Sequence, residues 1–166
     1  MKQKYQIKPS DTVVDLPSTV GSGYGAFWKS RNFYRVVKGS RGSKKSKTIA
    51  LNFIVRLLKY PWSNLLVVRR YSNTNKQSTY TDFKWAVNRL KVAHKFKFNE
   101  SLPEITVIDT GQKILFRGLD DELKITSITV DVGSLCWAWF NISDQVKPLE
   151  FMETPNVKTR TIMSEV

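Results

Sequence analysis

Residues Tyr34 to Leu51 read YRVVKGSRGSKKSKTIAL, a short apolar run followed by two glycines and a crowd of lysines and arginines with no acid among them. Set against the phosphate-loop pattern G-x-x-x-x-G-K-[ST], the residues Gly39, Ser40, Arg41, Gly42, Ser43, Lys44, Lys45 and Ser46 are compatible everywhere except at Lys44, where the pattern has glycine. Counting from Gly42 instead puts Thr48 where the lysine must stand, so the register is settled. The chemistry predicted is a phosphate cradle. Backbone N–H groups of Gly39–Lys47 face the anion, Lys45 reaches the β- and γ-phosphates, and Ser46 is the Mg²⁺ ligand. Lys44 keeps its side chain in solvent at modest cost if its φ is negative. By themselves the same residues also fit a solvated basic loop.

The elements around the loop favour the cradle. FYRVVK, from Phe33, is a β-branched and aromatic run of strand length. SKTIALNFIVRLLKYP then sets Ile49, Phe53, Ile54, Leu57 and Leu58 at helical spacing up to Pro61. NLLVVRR, Asn64 to Arg70, has the continuous apolar character of a strand buried on both faces, and Tyr80, Phe83, Val87 and Leu90 mark a second helix. Strand, helix, strand, helix predicts an α/β domain with a mostly parallel sheet flanked by helices. EITVIDTGQKILFRG reads as an inserted β-hairpin turning at Thr110–Gln112, and ITSITV and SLCWAWF as two further strands. GSGYG at Gly21–Gly25 lacks a preceding strand, so it is a flexible turn rather than a dinucleotide motif. The expected organisation is an N-terminal arm over 1–30, a core over 31–140 and a divergent polar tail over 141–166.

Composition supports one globular domain: 166 residues, 41% hydrophobic and 12% aromatic. A net charge of +13 points to a polyanionic partner such as nucleic acid, or to a membrane surface. A single cysteine, Cys136, forms no internal disulfide and reads as a small buried hydrophobe in its strand. No signal-type or membrane-spanning stretch is evident, which gives the expectation of a soluble, intracellular protein. His94, the sole histidine, is read as an exposed helix end.

VVKGSRGSKKSKTIAL, LLVVRRYSNTNKQSTYTDFKWAV and KILFRGLDDELKITSI together resemble the N-terminal ATPase domain of the large terminase subunit of tailed bacteriophages, over about Gly21 to Phe140. The resemblance implies a P-loop NTPase with a RecA-like sheet, ATP and Mg²⁺ as cofactors, and ATP-driven movement of double-stranded viral DNA into a procapsid. It also implies a small terminase subunit and a portal protein as partners, a homo-oligomer once assembled, no membrane, and a place in the host cytoplasm and transiently at the portal but not in the mature virion. Arg41 matches the arginine of the family's loop, which with Lys45 makes the implied catalytic pair; a DNA-phosphate or surface arginine is the other reading. Phe33 and Tyr34 are candidates for packing on adenine or in the core. Arg69 and Arg70, at a strand's carboxyl end, and Lys76 and Lys84, in a cationic set with Arg89, Lys91, Lys95 and Lys97 around the second helix, are candidates for DNA phosphates or for plain solvated positions. Asp120 and Asp121 look like a turn or helix start and are not assigned to metal.

One part of the pattern breaks. Hydrolysis needs an acidic pair after the apolar strand SLCWAWF, and the chain has Asn141 and Ile142 there, with Asp144 displaced by three residues from Asn141. The expectation is therefore an incomplete, truncated or frame-shifted domain without the family's nuclease domain. It is either an ATPase motor domain, a hydrolysis-deficient nucleotide- and DNA-binding module, or another P-loop DNA motor such as a helicase.

Overall fold

The computed structural model describes residues 15–40, 42–120, 128–141 and 160–164. Seven strands form one sheet. They are β1 (Tyr34–Val37), β2 (Ser63–Arg69), β3 (Phe96–Asn99), β4 (Glu104–Val107), β5 (Lys113–Gly118), β6 (Ser134–Asn141) and β7 (Arg160–Ser164). The spatial order is β1-β7-β6-β2-β5-β4-β3. Strands β1, β7, β6, β2 and β5 run parallel, and β4 and β3 add antiparallel at one edge. The helices are α1 (Leu16–Val20), α2 (Gly25–Lys29), α3 (Lys45–Lys59) and α4 (Thr79–Arg89).

The predicted alternation is what builds the parallel part, because a parallel pair needs a crossover and a helix supplies it. β2 is central, with β6 on one side and β5 on the other, and its residues from Ser63 to Val68 are all buried. This is why NLLVVR has no polar alternation. α3 and α4 cover one face of the sheet, where Phe53 and Phe83 pack on the fully buried Trp139 with ring centroids 6.5 and 5.9 Å away. Leu66, Val68, Leu115, Ala138 and Phe140 form a second cluster on the opposite face, joined by Ile128 and Val130.

Four expectations need correction. The hairpin exists, but its second strand, β5, also pairs parallel with β2, so it is part of the central sheet and not an insertion beside it. Lys97, read as part of the cationic set around α4, lies in β3, since the helix stops at Arg89 and Lys91 takes a φ of 56°. ITSITV has no strand over Ile128–Val130, and its remainder lies outside the described residues. The polar tail contributes β7, a strand inside the sheet between β1 and β6; Thr159, Thr161 and Ile162 are the β-branched residues that could have signalled it.

The other end of the sheet is tied by buried amides. Gln112 Nε2 donates to the carbonyls of Leu57 at 3.2 Å, Tyr60 at 2.8 Å and Ser63 at 2.6 Å, joining the end of α3 to the start of β2. Asn64 Nδ2 donates to the Val132 carbonyl at 2.6 Å, while its Oδ1 accepts from Lys113 N at 2.7 Å. In the described part of the arm Val20 is buried, and Tyr24, Phe27 and Trp28 pack against the main core. Residues 1–14 of it lie outside the described residues.

Candidate functional site

Because β1, β6, β2 and β5 are parallel, their carboxyl ends share one edge of the sheet. That edge carries the Gly39–Ser46 loop, Asn141, Arg69 and the turn after Gly118. It is where open α/β sheets take their ligands.

The loop leaves β1 and enters α3 at Lys45, so the unpaired N–H groups of a 15-residue helix face the loop, and no acid sits in its first turn. Lys45 is only 8% exposed. Its Nζ donates to the Gly39 carbonyl, to the Ser40 carbonyl at 2.9 Å and to Ser43 Oγ at 3.3 Å. A Cβ on Gly39 would stand 3.2 Å from Ser43 Oγ and 3.5 Å from Lys45 Cδ, so glycine there lets the lysine stem lie along the loop. An ammonium held by two carbonyls and a hydroxyl beside a helix N-terminus has the chemistry to take an oxyanion in place of those acceptors.

Lys44 is exposed, as expected, but its φ is +61°, not negative. It adopts the left-handed conformation that the pattern's glycine would supply without strain. Gly42, at φ +81°, is also left-handed. Ser46 is half-buried in the first turn of α3, and Lys47 turns its ammonium over the Trp85 ring at 4.9 Å, toward α4 and away from the loop. Arg41 and Asp144 lie outside the described residues, as does Asp121.

Of the four residues expected at DNA, Lys84 and Lys76 both lie near Glu100 and lower its pKa. Arg69 Nη1 donates back to the Thr74 carbonyl at 2.9 Å, burial lowers its pKa, and its Nε is buried with no acceptor among the described residues. Arg70 lies over the Tyr71 ring at 5.1 Å, Lys76 is exposed in the following turn, and Lys84 pairs with Glu100 while covering Tyr80. Phe33 and Tyr34 are 42% and 52% exposed and pack edge-to-face on each other, so a core role is excluded for them. His94 is exposed as expected, and Cys136 is half-buried rather than buried.

Asp82 and Tyr24 escaped the sequence reading, whereas Asp120 stands in a turn as read. Asp82, in the first turn of α4, is pushed up by burial from 3.8 to about 6, against the opposing pull of Lys47 and Arg69. Asp120 accepts from Ser72 N at 3.0 Å and Ser72 Oγ at 3.1 Å, holding the turn after β2 onto the end of β5. Gly118 permits that approach, since a Cβ there would sit 2.3 Å from Ser72 N. Tyr24 donates its hydroxyl to the Ser43 carbonyl and so ties the arm to the loop. An acid at a predicted helix start was a visible signal for Asp82; Tyr24 offered none, because its partner is distant in sequence.

A family model described as phage terminase large subunit matches residues 31–159, past Phe140, where the resemblance seen in the sequence stops. The chain is 36% identical to the terminase large subunit of Bacillus phage SPP1 over 69% of its own length and 28% of that protein's. It is 29% identical to the PBSX phage terminase large subunit of Bacillus subtilis (strain 168), over 72% of this chain and 26% of that one. It thus spans about a quarter of the length of these curated relatives. Among solved structures, the large terminase ATPase domain of Thermus phage P74-26 superposes with a TM-score of 0.60 at 10% identity, covering 82% of this chain and 61% of that one. At that identity the likeness is one of fold.

Proposed function

The chain belongs to the phage terminase large subunit family, and we propose that it is the nucleotide-binding motor domain of such a subunit, serving ATP-dependent translocation of double-stranded viral DNA into a procapsid. The observation that carries this reading is the buried Lys45 ammonium held by the loop between β1 and α3.

The residues present fit Mg²⁺·ATP in part. Lys45 can exchange its loop carbonyls for β- and γ-phosphate oxygens, since the same three donors serve either set. The loop and the α3 N-terminus supply N–H donors, Ser46 supplies a hydroxyl for the metal, and Arg41 adds a guanidinium. When bound, the nucleotide brings a transferable phosphoryl group, with the metal neutralising its charge. A net charge of +13 suits a DNA partner held through phosphates without sequence preference. The small subunit, the portal and a homo-oligomeric assembly in the host cytoplasm belong to the same proposal.

A second reading rests on Asn141. β6 ends there, where a hydrolase of this class needs a carboxylate, and an amide neither carries the negative charge for the metal nor accepts a proton from water. Among the described residues no group of three or more His, Cys, Asp or Glu could hold a metal. On this reading the chain binds nucleotide without turning it over.

Titration calorimetry with Mg²⁺·ATP, and steady-state ATPase with and without duplex DNA, separate the two. Wild type should bind and Lys45→Ala should lose at least about 10-fold in affinity, the loss of one charge-assisted contact of roughly 1.5–3 kcal/mol. Turnover stimulated by DNA and abolished by Lys45→Ala supports the motor. Binding without turnover supports the second reading, and no binding by wild type removes both.

A further inference from the structure

We infer that Tyr24 is a positioning residue of the phosphate loop, its hydroxyl holding the Ser43–Lys44 peptide in the orientation that presents an N–H, not a carbonyl, to phosphate. The inference rests on the phosphate-loop reading above. Tyr24 precedes α2 in the arm, its ring packs against the main core, and its hydroxyl donates to the Ser43 carbonyl. Across a planar trans amide the C=O and N–H point to opposite sides. A carbonyl held toward the arm therefore aims the Lys44 N–H away from it.

Lys44 makes that hold necessary. Its φ of +61° followed by the helical Lys45 is a left-handed to right-handed pair, the backbone form in which successive N–H groups converge on an anion. Glycine holds such a φ freely, but lysine does not. Flipping the Ser43–Lys44 peptide would carry Lys44 φ through about 180°, to near −120° at its ψ of 21°, into the bridge region, which is open to a side chain without the left-handed clash. The same flip would turn the Ser43 carbonyl oxygen toward the anion. The strain at one left-handed lysine and the worth of one hydrogen bond are of similar size, so the Tyr24 hydroxyl is large enough to decide the balance. The lysine in the glycine position and the tyrosine in the arm are thus two halves of one device.

The test is a double-mutant cycle read as binding of Mg²⁺·ATP and of inorganic tripolyphosphate, which has no base to contact. Tyr24→Phe keeps the ring in the core and should weaken both ligands about 3- to 10-fold, with the melting temperature of the unliganded protein little changed. In a Lys44→Gly background the same substitution should cost less than about 2-fold, because glycine holds the positive φ unaided. Equal losses in both backgrounds, loss for ATP but not tripolyphosphate, or no loss at all would overturn the inference. Lys45→Ala in parallel tells the cases apart: if wild type binds neither ligand, or binds them independently of Lys45, the phosphate-loop reading falls and this one with it.

Discussion

Asp82 shows how one side chain can be held against its own chemistry. It lies in the first turn of α4, a position where a helix favours a carboxylate, and Lys47 and Arg69 also favour its charge. Burial outweighs them and sets its pKa near 6, above the ordinary 3.8. The folded state therefore binds more protons than the unfolded state between these values, so this residue's contribution to stability improves as pH falls from neutral through 6 and levels off below 3.8. Asp82→Asn should be more stable than wild type at pH 7 by about 1 kcal/mol after allowing for partial exposure, or roughly 2–4 °C in Tm. The difference should vanish near pH 3.5. Thermal melts of the two proteins across that range check it, and a less stable variant at pH 7 would mean that the pairing with Lys47 and Arg69 outweighs burial.

At the scale of elements, α3 is held by its apolar face and strained at its entry. Ile49, Phe53, Ile54 and Leu57 are fully buried against the sheet, which provides the helix with far more than its propensity does. Lys44, just before its first residue, carries a positive φ and makes no side-chain capping bond. Lys44→Gly should therefore stabilise the domain by roughly 0.5–1 kcal/mol, since the strain is relieved where no contact is lost, although the added freedom of the unfolded chain takes back part of the gain. Urea unfolding measures it: a lower midpoint with an unchanged slope would show that the lysine side chain holds something in the folded state.

For the molecule as a whole, β7 is the strand on which the sheet's continuity depends. β1 has β7 as its neighbour, and β7 in turn joins it to β6. Removing residues 160–166 leaves β1 without a strand partner among the described residues, although the helices and the β6-β2-β5 centre keep most of the core. The shortened chain should melt at lower temperature and lose amide protection first at Tyr34–Val37, and it should bind nucleotide at least several-fold more weakly because the loop hangs from that strand. Hydrogen exchange and calorimetry on the two lengths decide it. Unchanged protection of β1 would show that the arm alone positions the loop.

The sequence by itself determined the local pattern. GSRGSKKS between an apolar run and an amphipathic helix specifies strand, loop and helix, because each rests on neighbours within a few residues: a β-branched run, a glycine turn and a helical period. The same is true of NLLVVR, whose unbroken apolar character already says that both faces are covered, and of Asn141 and Ile142, which are legible directly after SLCWAWF. Only the tertiary structure decided what depends on partners far apart in the chain. It placed β7 between β1 and β6, turned Arg69 inward to Thr74, raised the Asp82 carboxyl by burial, and brought Tyr24 to the Ser43 carbonyl across nineteen residues. Strand pairing, burial and side-chain orientation are set by the packing of the whole sheet and its helices, and no short window of sequence contains that information.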